Sequence, residues 1–218
     1  MRSDYAILWD LDGTIVDTKD CHNYTWKQVL KKHGFQLDMG VLDVNFGRNN
    51  TTLLPLLLGF EPDDELMMAI IDEKEDLFRQ VASDWITLIP GVVSWLETAN
   101  DLHIQQAIAS SAPIENITAL LASFNLGDYF SAIVSGSELP AKPEPDVFIR
   151  AAEALHTPSE NCLVIEDSVA GVAGAKQAGM CCIAITTTHP QAELAQADLV
   201  FEDFTRPFHE MLLTIGWE

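Results

Sequence analysis

Apolar residues follow two rhythms along the chain. Short, nearly continuous apolar runs recur as DYAILW at 4–9, HIQQAIAS at 103–110, FSAIVSG at 130–136, NCLVIED at 161–167, MCCIAIT at 180–186 and ADLVF at 197–201. Runs without polar alternation fit strands buried on both faces. Between the later runs lie amphipathic stretches, VVSWLETAND, APIENITALLASF, PEPDVFIRAAEAL, SVAGVAGAKQAG and PQAELAQA, each expected to be a helix. Pro145 and Asp146 suit a helix start, and Gly179 a helix end. Residues 18–88 break the alternation. TWKQVLKKHGF, TTLLPLLLGF and DELMMAIIDEKEDLFRQVA have helical spacing with no strand between them, and Pro90-Gly91 punctuates the return. The pattern predicts an α/β fold: a doubly wound, Rossmann-like parallel sheet with helices on both faces, built from residues 1–17 and 89–218. An all-helical cap domain, 18–88, is inserted after the first strand.

Charge narrows the ligand. The 218-residue chain carries a net charge of −21, and beyond residue 80 its bases are Lys142, Arg150, Lys176 and Arg206 alone. Such a surface repels nucleic acid and anionic membranes, so neither is expected as a partner. An anionic substrate would need a local cation. No apolar run reaches the roughly 18 residues of a spanning helix, and MRSDYAILWD lacks signal-peptide architecture. Cys21, Cys162, Cys181 and Cys182 have no metal-binding spacing and read as reduced thiols, mostly in the core, of a cytoplasmic protein. Asn23-Tyr24-Thr25 and Asn116-Ile117-Thr118 read as chance matches to a glycosylation pattern.

In a doubly wound sheet the ligand crevice lies at the carboxyl ends of the strands. Asp10 and Asp12 follow the first strand, Ser110 and Ser111 end the next, Lys142 follows FSAIVSG, and Glu166 and Asp167 end CLVI. Taken singly, Ser110 or Asp167 could simply cap the following helix. Together the carboxylates would repel, and one lysine does not balance them. All-oxygen donors from Asp10, Asp167 and backbone suit Mg²⁺ rather than zinc.

These four segments, DLDGT followed by TIVDT, Ser110, Lys142-Pro143 and Glu166-Asp167-Ser168, resemble in order and spacing the motifs of the haloacid dehalogenase superfamily. The resemblance spans essentially the whole chain. It is closest to the helical-cap branch that contains small sugar-phosphate phosphatases and β-phosphoglucomutase. It implies Asp10 as nucleophile forming an aspartyl-phosphate and Asp12 as general acid and base. It further implies that Thr14, Ser110, Ser111 and Lys142 bind the phosphoryl oxygens. Mg²⁺ would be held by Asp10, by the backbone carbonyl of Asp12, by Asp167, and by Glu166 through water. Thr18 and His22, with Trp26, match the mutase pattern and would position Asp12, although packing on one helix face asks for the same spacing. Gly47 and Arg48 resemble a substrate-reading cap loop, and Phe46, Asn49 and Lys74 are further candidates for its lining.

The resemblance leaves a choice of chemistry. Asp12 argues against dehalogenation, which needs no acid for the leaving group. A Schiff base on Lys74, as in a phosphonate-cleaving relative, has no sign of desolvation in the sequence to support it. A mutase would place a lysine and an asparagine after Ser110 to grip a second phosphate, whereas the chain reads Ser111-Ala112-Pro113-Ile114. A silent binding protein would have lost a motif residue, and none is lost. The expectation is a Mg²⁺-dependent phosphatase, monomeric, acting on a small phosphorylated metabolite such as a sugar phosphate, with a β-phosphoglucomutase-type mutase as the alternative. GVAGAKQAG at 171–179 matches neither common nucleotide-binding glycine pattern, and Gly171 and Gly174 are expected to let their helix approach the sheet. Trp9 and Trp85 are expected to pack.

Overall fold

The computed structural model describes residues 4–214. Six strands, β1 (Ala6–Trp9), β4 (Gln105–Ser110), β5 (Ala132–Ser135), β6 (Cys162–Glu166), β7 (Cys181–Ile185) and β8 (Leu199–Phe201), form one parallel sheet in the order β5-β4-β1-β6-β7-β8. Each matches one of the six apolar runs. β1 is central because every one of its side chains is buried. Ile7 and Trp9 face one hydrophobic cluster, with Ile108, Ile165 and Ile183. Ala6 and Leu8 face the other, with Ala107, Val164 and Cys182. The two-residue period of a strand makes this division. Helices α5 (Val92–Asp101) and α6 (Ile114–Ser123) cover the first face, and α7 (Asp146–Ala154) and α8 (Val169–Gln177) the second. After β1 the chain builds β4 and β5 to one side, and then β6 to β8 to the other. The carboxyl end of β1 is therefore the topological switch point.

Four helices leave and return beside that point: α1 (Lys19–Lys32), α2 (Met39–Val44), α3 (Asn50–Leu58) and α4 (Asp64–Trp85). Asp38, Asn49 and Asp63 cap the last three by accepting backbone N–H groups. The helices have a core of their own, with Trp26, Leu30, Leu54 and Ile70 at its centre. Two short strands, β2 (Val16–Asp17) and β3 (Thr87–Leu88), pair antiparallel and tie the exit to the return. Trp9 packs, as expected, and also donates to Gln106 Oε1 at 3.0 Å. Trp85 stacks on Tyr24 yet stays 44% exposed.

Local expectations differ from the structure in four places, two of them in the insertion: α2 forms on Met39–Val44, where no helical segment is expected, and Thr87–Leu88 at its end is strand. PQAELAQA forms turns rather than a helix, with three-residue hydrogen bonds such as Glu193 N–H to Pro190 O. Leu194 alone is fully buried there, and one anchor does not give a helix a face. A ninth helix, α9 (Phe208–Thr214), was not anticipated; Phe208, Met211 and Leu212 bury its inner side.

Candidate active site

β1 ends by donating the Asp10 N–H to Ile165 O at 2.9 Å, which carries the ladder one residue past the strand. The chain then turns on Gly13, at φ +86°. Ile15 and Val16 N–H both return to Leu11 O, closing a compact loop. A β-carbon on Gly13 would stand 2.2 Å from Asp167 Oδ2, so only glycine lets this loop lie against the β6 end.

Lys142 stands between the two strand ends. Its Nζ donates to Asp10 Oδ1 at 2.6 Å and to Glu166 Oε1 at 2.7 Å, with 1% of the residue exposed. Burial alone would depress the ammonium; the two carboxylates outweigh it and raise Lys142 above its ordinary value. Burial pushes the Asp10 carboxyl up to about 8 against the pull of Lys142, with Glu166 adding to the rise. Asp167 is likewise raised by burial and by Glu166 and Asp10. Asp10 and Glu166 thus share one buried ammonium, and Asp167 is buried near both acids without a share in it.

Glu166 is fully engaged. Its Oε2 accepts from the N–H groups of Asp167 and Ser168 and from the Ser168 hydroxyl. It buttresses Lys142 and caps the start of α8 rather than facing open space. Gly171 leaves room for it, since a β-carbon there would lie 1.7 Å from Glu166 Oε1; Gly174 lies against the carbonyls of Pro143 and Glu144, so α8 approaches the Lys142 loop as well as the sheet. Thr14 donates to Asp167 Oδ1 at 3.0 Å, and Thr188 donates to Oδ2. Ser110 is buried at the end of β4, its Oγ accepting the Ala112 N–H at 3.1 Å.

The donor set fits a hard divalent cation in a restricted sense. Among the described residues, no three acid, histidine or cysteine side chains converge as a preformed cage. Asp10 and Asp167 supply two buried carboxylates, and Thr14 and Thr188 hold the second of them in place. Mg²⁺ commonly takes one or two carboxylates and keeps several waters.

A family model described as haloacid dehalogenase-like hydrolase matches residues 7–185. The chain belongs to that family. It is 29% identical to fructose-1-phosphate phosphatase YqaB of Escherichia coli (strain K12) over 184 residues, 83% of this chain and 96% of the relative. It is 29% identical to β-phosphoglucomutase of Bacillus subtilis (strain 168) over 233 aligned positions, 98% of this chain and 95% of the relative. In fold it superimposes on β-phosphoglucomutase from Clostridium difficile with a TM-score of 0.88 at 23% identity, covering 97% of each chain.

The cap completes the site of this haloacid dehalogenase-like hydrolase. One cleft is lined by Asp10, Asp12 and Ser110 from the core and by His22, Arg48 and Lys74 from the cap. His22 lies 3.3 Å from Asp12 Oδ1 through Nε2 and 2.9 Å from Lys74 Nζ through Nδ1, stacked on Phe78. Burial and the Lys74 ammonium outweigh Asp12 and hold His22 below its ordinary value. Burial would raise Asp12, but the hydrogen bond from His22 and the nearby charges hold it below the usual range. A neutral imidazole satisfies both neighbours: Nδ1 accepts from the ammonium and Nε2–H donates to the carboxylate. Thr18 is buried beside this pair, and its hydroxyl has no hydrogen-bond partner among the described residues. Gly47, at φ +89°, places its backbone against Ser168 and accepts the Ser111 hydroxyl at 3.0 Å, so Ser111 reaches the cap. Asp17 stays exposed and faces the Lys19 N–H.

Lys74 requires a correction. The sequence gives no sign of desolvation, yet the residue is 1% exposed. It sits on the inner face of α4 against Trp26 and Phe78, and donates to Glu75 Oε1 at 2.6 Å. Four groups went unnoticed in the sequence. Glu75 lies in the charge-rich run DEKED, where nothing separates it from solvated neighbours. Asn50 followed a loop, Asn116 sat in a glycosylation-like triplet, and Thr188 in a polar turn. Asn116 is buried against the cap.

Proposed function

We propose that this protein is a Mg²⁺-dependent phosphatase that hydrolyses a small phosphorylated metabolite, a sugar phosphate above all, through an aspartyl-phosphate on Asp10. The observation that carries the reading is Lys142 fixed by two hydrogen bonds between Asp10 and Glu166 at the switch point, directly behind the cleft that Asp10 and Asp12 line. In this reading residues 1–17 and 89–218 form the catalytic core, and 18–88 the cap that excludes water.

Asp10 attacks phosphorus with one carboxylate oxygen, in line with the bond to the leaving oxygen. Lys142 and the Ser110 hydroxyl take the non-bridging oxygens, and the loop N–H groups after Asp10 add to the cradle. Asp12, an ionised acceptor in the empty cleft, takes up a proton when the anionic substrate arrives, gives it to the leaving oxygen, then accepts one from the water that attacks the acyl-phosphate. His22 and Lys74 hold Asp12 in place for both transfers. Thr14 and Thr188 orient Asp167. Mg²⁺ would be held by Asp10, Asp167 and the Asp12 carbonyl and would supply positive charge to the transferring group. Glu166 acts through Lys142 rather than as a ligand.

The test is phosphate release from a panel of sugar monophosphates with and without Mg²⁺, for wild type and Asp10→Asn. Metal-dependent release that the variant abolishes is expected; undiminished release by the variant would refute Asp10 as nucleophile. β-Glucose 1-phosphate with a bisphosphate primer belongs in the panel. Conversion to the 6-phosphate without release would make the protein a mutase, a reading that the close pairing of His22 with Asp12 keeps in view.

A further inference from the structure

The cleft that Asp10, Asp12 and Ser110 line is lined also by Glu75, Asn50, Asn116 and Arg48. Glu75 is 5% exposed. It accepts from Lys74 Nζ and from Asn50 Nδ2, each at 2.6 Å on Oε1, and from Asn116 Nδ2 on Oε2. Asn116 is itself held by Arg79, whose Nη1 donates to Asn116 Oδ1 at 2.8 Å. Glu75 on cap helix α4 is thereby pinned to core helix α6 at the cleft wall.

Two consequences follow for a ligand. The ammonium of Lys74 is already shared between Glu75 and His22, so it offers little to a second anion. Arg48 also lines the cleft, and its side chain makes no ion pair among the described residues. A carboxylate has about four acceptor positions. Three are used by Lys74, Asn50 and Asn116, which leaves one for a donor in the cleft. A hydroxyl both donates and accepts, so the hydroxyls of one ligand can serve Glu75 and Arg48 alike. A second phosphate only accepts. It would meet Arg48 but could not donate to the remaining acceptor position of Glu75, which would stay buried and unpaired.

We infer that Glu75 is a specificity determinant: it selects monophosphates whose far end is a neutral polyol and rejects those that carry a second phosphate. The inference rests on the phosphatase reading and deepens it. It also bears on the choice against a mutase, whose bisphosphate intermediate would put a phosphate at this wall.

The experiment compares a hexitol monophosphate with a hexose bisphosphate. In calorimetry wild type should bind the bisphosphate at least about tenfold more weakly, as expected for a site whose buried acceptor it leaves unpaired. Equal or tighter binding of the bisphosphate would overturn the inference, with no variant needed. Glu75→Gln keeps the shape and one acceptor but removes the charge. The ratio of kcat/KM for the two substrates should then fall by about tenfold or more. The ratio is the readout because Glu75 also balances Lys74, so a common fall in both rates is expected from His22 and Asp12. Both values falling by one factor, with the ratio intact, would make Glu75 structural. If wild type releases phosphate from neither substrate, the phosphatase reading fails by itself, and the calorimetric ratios of wild type and Glu75→Gln still decide the role of Glu75.

Discussion

Gly13 lies against the carboxylate of Asp167, with no room for a β-carbon between them: one would stand 2.2 Å from Oδ2. The β1 and β6 ends are joined across this contact, and it sets the spacing of the two acids that would share a cation. Gly13→Ala must both adopt φ +86° and push Asp167 aside. A loss of about 1–3 kcal/mol is expected in denaturant unfolding, together with loss of Mg²⁺-dependent turnover. Unchanged stability with full activity would show that the loop can relax freely.

Lys142 is the shared partner of Asp10 and Glu166. Lys142→Met leaves both acids buried without it. The expected cost is about 3–5 kcal/mol in the metal-free protein. Adding Glu166→Gln should recover part of that stability without recovering phosphate release, because the phosphoryl group still lacks its cation. A double variant as unstable as the single one would place the damage elsewhere.

His22 titrates below its ordinary value because burial and Lys74 act against Asp12. Removing the ammonium with Lys74→Met should raise the His22 value in an NMR titration. Protonated His22 carries a proton on Nδ1 as well as Nε2, so the Nδ1 resonance should move over the same range. A His22 titration that does not move would mean that Lys74 is not its electrostatic partner.

Lys74 chiefly, with His22 and the hydrogen bonds, overcomes burial and lowers the Glu75 carboxyl to about 2, from 4.5. A depressed acid stabilises the fold above its unfolded value, and the contribution is lost as pH falls through the folded one. Stability should therefore drop between about pH 4.5 and pH 2, by up to about 3 kcal/mol from this group at 1.36 kcal/mol per unit. Glu75→Gln should flatten that part of the stability–pH curve measured by urea unfolding. An identical slope in the variant would rule out the shift.

The six strands of the sheet and most helices of the core were legible in the sequence, as were the strand ends that carry Asp10, Ser110, Lys142 and Asp167. Strands buried on both faces must be apolar throughout, and polar residues placed just after them stand out. PQAELAQA failed as a helix and α9 went unseen, because both are short segments whose packing partners decide their form.

What the sequence determined by itself was the frame and the place of the candidate site: a doubly wound sheet, a helical insertion after β1, and an acid pair two residues apart at the switch point. The tertiary structure alone decided which charges face one another. Glu166 turned to Lys142 and the start of α8, Lys74 turned inward to His22, and Glu75 reached across to Asn116. In sequence Glu73, Lys74, Glu75 and Asp76 are equivalent members of one charged run. On α4 the helical turn buries Lys74 and Glu75 and leaves Asp76 mostly exposed. Burial multiplies the strength of each pairing, and it depends on what the helix packs against, which no local pattern records.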